Sequence, residues 1–113
     1  MFGTDYYYVL LADAKDPKTP VEELEKLATN EDFNIRYHVT QNPNVTVDIL
    51  EKLSEESNYT VVYGVATSPN ATDKILRKLV QHKDVIIRKK AAENPNASEI
   101  TKRFYLMTVT KLS

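Results

Sequence analysis

Apolar residues return along this chain in short stripes at helical spacing, divided by polar turns, and the pattern recurs every 26 residues. Leu24, Leu50 and Leu76 hold one position of the repeat, and Leu27, Leu53 and Leu79 the position three residues on, on the same helix face. Ile49 and Ile75 widen the stripe, while Asp48, Glu51 and Lys52 fall opposite it, so each stretch predicts a short amphipathic helix. A second stripe follows each leucine pair. Asp32, Asn58 and Asp84 are good N-caps, and after them come Phe33, Tyr59 and Val85, then Ile35, Val61 and Ile87. In the middle copy Val61, Val62, Val65 and Ala66 supply the apolar side.

Proline punctuates the same period at Pro17, Pro43, Pro69 and Pro95, preceded by Asp16, Asn42, Ser68 and Asn94. The side chain before proline accepts a backbone N–H two residues on, and proline itself forces the preceding helix to stop. Thr46, Thr72 and Ser98 are placed to cap the next helix. In the first copy the cap reads one residue earlier, as a capping box of Thr19 with Glu22, with Pro20 in the first helical position. Neither helix of a pair has enough apolar face to stand alone, so neighbouring pairs must stack. The expectation is an all-α fold: a right-handed α-solenoid of short helix pairs in a single domain. It starts with a half-unit at 5–13 capped by Asp5, runs through units 14–39, 40–65 and 66–91, and ends in a partial unit and C-terminal cap at 92–113. In that cap Lys102 stands where the leucine column would continue. Ile100, Phe104 and Met107 offer a different stripe, and the β-branched run Thr108–Thr110 is expected to end the helix.

Composition narrows the function classes. The 113 residues suit one domain. They include no cysteine, which removes thiolate chemistry and cysteine-held metals. Glycine occurs only at Gly3 and Gly64, too sparse for a phosphate-cradling loop. The N-terminus lacks the pattern of a signal peptide, and no apolar run is long enough to span a bilayer, so a cytoplasmic location away from membranes is expected. Asn44, Asn58, Asn70 and Asn96 each open an Asn-x-Ser/Thr triplet, which turn and cap chemistry explains without sugar.

The turns Asn42-Pro43-Asn44, Ser68-Pro69-Asn70-Ala71-Thr72 and Asn94-Pro95-Asn96 precede or link Leu-x-x-Leu helices. With Asp84, Ile87 and Arg88, and with Asp32, Ile35 and Arg36, they resemble the leucine-rich repeat variant family of HEAT-like helical solenoids. The resemblance covers residues 12–100, although the units here are slightly long and Val62 replaces the arginine of the second. Some relatives carry an iron–sulfur module, whose cysteines are absent here. What the resemblance implies is a repeat surface for partners.

Charge is strongly divided. Residues 1–56 hold 5 Lys/Arg against 12 Asp/Glu, net −7, and residues 57–113 hold 10 against 4, net +6, within a total of −1. The basic half contains Lys74, Arg77 and Lys78, then Arg88, Lys89 and Lys90, then Lys102 and Arg103, a candidate patch for nucleic acid or an acidic partner. The opposed halves equally suit head-to-tail self-association. Tyr37, Tyr63 and Lys89 share one column, and His38, Gly64 and Lys90 the next, which points to a protein-interaction face of Tyr37, Tyr63 and His38 with the two tyrosines stacked. Arg36 and Arg88 each follow an aspartate by four residues, an expected local ion pair. His38 and His82 lie far apart, assigned to different kinds of helix, and no nucleophile, base and acid share a column. The expected function is therefore a non-enzymatic scaffold, without cofactor, that binds a protein partner, with nucleic-acid binding as the alternative.

Overall fold

The structure, a computed structural model, describes residues 2–110, with side chains from Tyr6 onward. Within them the chain forms eight helices and no strand: α1 (Phe2–Lys15), α2 (Val21–Leu27), α3 (Phe33–Gln41), α4 (Val47–Leu53), α5 (Tyr59–Thr67), α6 (Asp73–Leu79), α7 (Val85–Glu93) and α8 (Glu99–Thr110). Helices of seven and nine residues alternate through the middle. The odd-numbered helices pack in sequence, α1 on α3, α3 on α5 and α5 on α7, and the even-numbered helices lean against them. The result is elongated, 53 × 24 × 17 Å. Its radius of gyration is 15.0 Å, above the about 13 Å of a compact domain of this length.

The leucine columns are the core. Leu24, Leu50, Leu76, Leu27, Leu53 and Leu79 are all buried, facing Ile35, Val61 and Ile87 and then Val39, Val65 and Ala91 from the longer helices. The caps fall at Asp32, Thr46, Asn58, Thr72 and Asp84, each side chain accepting a backbone N–H of the first turn. Ser98 does the same for Thr101 N at the start of α8.

What joins one turn to the next is a series of asparagine bonds. Asn42 Oδ1 and Asn94 Oδ1 accept from the N–H two residues on, as the sequence predicts. Their Nδ2 groups reach back to the preceding turn: Asn42 donates to Ala14 O and Asp16 O, and Asn94 to Ala66 O and Ser68 O. The residue after proline repeats the reach, Asn44 to Thr19 O, Asn70 to Pro43 O and Val45 O, and Asn96 to Pro69 O and Ala71 O. The bonds to Ala14 O and Ala66 O are buried, where carbonyls at a helix end need a donor.

Both ends depart from expectation. α1 begins at Phe2, so Asp5 lies inside a helix rather than capping one. Thr19 does not cap α2. It occupies the buried turn position also held by Val45, Ala71 and Ala97, and its hydroxyl donates to Asp13 O at 2.6 Å. Pro20 takes the N-cap place, with no side-chain acceptor to offer. At the other end Phe104 of the expected stripe packs on the core, joined by Tyr105, while Ile100 and Met107 are exposed. Thr101 is buried where Ile49 and Ile75 stood, because Asp73 accepts its hydroxyl at 2.7 Å, and Lys102 in the leucine column is exposed. Thr108, Val109 and Thr110 remain helical, since two of their hydroxyls donate to carbonyls one turn back. The last three positions of the expected C-terminal cap, 111–113, lie outside the described residues.

Candidate interaction surface

The longer helices bury one side and leave an apolar row on the other. Phe33, Tyr59 and Val85 are the first residues of α3, α5 and α7, and they are 47%, 44% and 56% exposed, with Ile86 beside them at 47%. They open their helices because the preceding Asp32, Asn58 and Asp84 spend their side chains on the first turn's N–H groups. One turn further along the same ridge stand Tyr37, Tyr63 and Lys89. The first two are half-buried and Lys89 is exposed. Isolated exposed apolar residues are ordinary, but these are aligned at one repeat position on adjacent helices.

The two tyrosines do not make the expected ring stack. Tyr37 sets its edge against His38, centroids 5.1 Å apart, and Tyr63 tilts against Tyr59 at 6.0 Å. The reason is Gly64, which lets α3 and α5 approach so closely that Tyr37 Cδ1 lies 2.9 Å from where a Cβ would stand on Gly64. Tyr37 thus packs on the backbone of α5. Partial desolvation pushes the Tyr59 hydroxyl up, aided by Asp84 and Tyr63 and opposed by Lys90. Burial and then Lys15 hold His38 below its ordinary range, so it is neutral at pH 7.

The basic half is less free than its composition implies. Arg77 pairs with Asp73 at 2.7 Å, Lys78 with Glu55, Lys90 with Glu93 at 3.7 Å and Lys102 with Glu99 at 3.4 Å. The Lys78 ammonium, which also donates to Ser54 Oγ, holds the Glu55 carboxyl below its usual range. Lys74, Lys89 and Arg103 are exposed, and no hydrogen bond or ion pair engages their side chains. Arg88 leaves the patch altogether. Its Nη1 donates to His82 O and Lys83 O, and its buried Nε has no partner.

Arg36 shows the design that Arg88 completes only in part. The expected pairs with Asp32 and Asp84 do not form, because both aspartates are occupied as caps. Arg36 folds back onto the turn before its helix, donating to Asn30 O and Glu31 O, and its Nε meets Glu56 at 3.0 Å. Glu56 comes 20 residues after Arg36. The same step from Arg88 reaches Thr108, which carries no carboxylate.

His82 lies in the turn between α6 and α7, not in a helix, where its Nδ1 accepts from Asp84 N at 3.0 Å. A recess beside it is lined by Gln81, Phe104, Met107 and Thr108, mainly apolar and far from His38 in sequence. Among the described residues no three His, Asp or Glu side chains gather as metal ligands, and no helix is long and apolar enough to cross a membrane.

Two features escaped the sequence reading. The exposed row was visible as an apolar column directly after each cap, a place that a buried stripe beginning two residues later does not need to fill. The asparagine column after Pro43, Pro69 and Pro95 was visible too, but its backward reach depends on how closely successive turns pack. Comparison of the chain with protein-family models, curated proteins and solved structures finds no match.

Proposed function

We propose that this chain is a non-enzymatic repeat scaffold, a right-handed α-solenoid of the leucine-rich repeat variant kind that presents a protein-interaction surface. Helix starts at Val21, Val47 and Asp73, and at Phe33, Tyr59 and Val85, support the repeat, as do the asparagine bonds between successive turns. The observation that carries the function is the exposed row of Phe33, Tyr59 and Val85 with Tyr63 beside it. Tyrosine and phenylalanine offer large contact area at small entropic cost, and a row of them on rigid helices suits a protein partner.

Affinity capture from the cell of origin tests the reading, with the wild type and Tyr63→Ala as paired baits. The variant should lose the captured partner by more than about 1 kcal/mol of affinity while its helical circular dichroism is unchanged. Loss of stability with unchanged affinity would make the ring structural. Nucleic-acid binding comes second, because Arg77, Lys78, Lys90 and Lys102 are engaged by carboxylates and Arg88 by backbone carbonyls. If it operates, Lys89→Glu with Lys90→Glu abolishes a steeply salt-dependent affinity for DNA or RNA, and Lys18→Glu with Lys26→Glu does not.

A further inference from the structure

We infer that the apolar row is the self-interface of an antiparallel, two-fold dimer of this chain, which rests on reading that face as an interaction surface. Immediately before each cap the column reads Glu31, Ser57 and Lys83, all three exposed. No ion pair or hydrogen bond engages the side chains of Glu31 and Lys83. Negative, neutral and positive therefore run in order alongside Phe33, Tyr59 and Val85, with the neutral member at the centre.

A flat row can meet a second copy of itself about a two-fold axis in two ways. With the axis along the row, Glu31 meets Glu31 and Lys83 meets Lys83, which like-charge repulsion disfavours. With the axis across the row, every column meets itself reversed. Glu31 then meets Lys83 at both ends, Ser57 meets Ser57, Phe33 meets Val85, and Tyr59 meets Tyr59 on the axis. The neighbouring column follows: Tyr63 meets Tyr63, and Lys89 lies over the Tyr37 ring as a cation on an aromatic face. Ile86 comes over Asn34, whose Nδ2 is already engaged by the Tyr7 hydroxyl at 2.8 Å. Asp32 then meets Asp84, but both carboxylates accept N–H groups of their own helix starts, so the unpaired charges that face each other are Glu31 and Lys83, whose sign reverses about a neutral centre as a self-complementary surface requires. Three helices spaced by about 10 Å make a row of roughly 20 Å, short of the about 800 Å² per partner of a standard interface, so the dimer is weak and concentration-dependent.

Sedimentation velocity on the full chain from micromolar to several hundred micromolar tests this, with circular dichroism confirming that each variant folds. The expected result is a monomer–dimer equilibrium that Glu31→Lys and Lys83→Glu each weaken by about tenfold. An equimolar mixture of the two variants restores it, because each then meets opposite charge on the other. The chain has no cysteine, so Tyr59→Cys should cross-link to itself under mild oxidation at least about tenfold faster than the exposed control Val9→Cys, as expected for a residue on the axis. A chain monomeric throughout, a dimer indifferent to both charge variants, or a mixture that fails to re-form it overturns the inference. If the dimer is absent but Tyr63→Ala still loses a captured partner, only the dimer falls. If both are absent, the interaction face falls with it.

Discussion

Gly64 shows how one missing methyl group sets the distance between helices. A Cβ there would press on Thr40 Oγ1 and on Tyr37 Cδ1, whereas the same column carries His38 and Lys90 in the flanking helices. One repeat on, the position corresponding to Thr40 is the smaller Ala66, and that corresponding to Gly64 is Lys90. Gly64→Ala should therefore destabilise the chain by about 1–3 kcal/mol despite the helix propensity gained, measured by urea unfolding. Asp73 is the other residue whose surroundings decide its behaviour. Its carboxyl is held at about 2, first by the Ser98 N–H, then by the Thr101 hydroxyl, with help from Arg77. The folded value lies below the ordinary 3.8, so the stabilisation is complete above pH 3.8 and is lost as pH falls towards 2. Asp73 is partly exposed, which limits the effect to about 1–2 kcal/mol near neutrality. The stability gap between the wild type and Asp73→Asn should close across that acidic window, and a gap constant with pH would contradict the assignment.

At the scale of elements, caps were legible from the sequence wherever the cap is a local event. Asp32, Asn58, Thr46, Thr72 and Asp84 all act within three residues of themselves. Contacts across units were not legible. The arginines looked paired with their own helix's aspartate, since four-residue spacing is readable, yet that aspartate is already occupied and Arg36 turns to Glu56. Thr19 was misread for the same reason: a threonine beside a proline resembles a cap until the packing of the turn shows it buried. The Nε of Arg88 stays unmet because the chain 20 residues on is helix α8 and not the turn that carries Glu56 after Arg36. Asn70→Ala removes donors from two turn carbonyls, Pro43 O and Val45 O, and should cost about 1–3 kcal/mol in thermal unfolding.

For the molecule as a whole, the helical stripes and leucine columns were readable because burial follows a period. Leu50 is fully buried at the centre of the core, and Leu50→Ala should cost about 2–5 kcal/mol in urea unfolding, a large part of the stability of a chain this small. The charged surface was readable only as a sum. The halves at −7 and +6 already count pairs such as Arg77–Asp73 within the basic half, and Lys78–Glu55 is the ion pair that bridges the two halves among the described residues. The asparagine bonds have a consequence in time as well as in space. Each of the five asparagines points from a later turn to an earlier one, across 25 to 28 residues. As the chain leaves the ribosome, every new turn therefore meets carbonyl acceptors that have already been synthesised, and none has to wait for the C-terminus. Assembly can keep pace with synthesis, each emerging turn docking on the one before it.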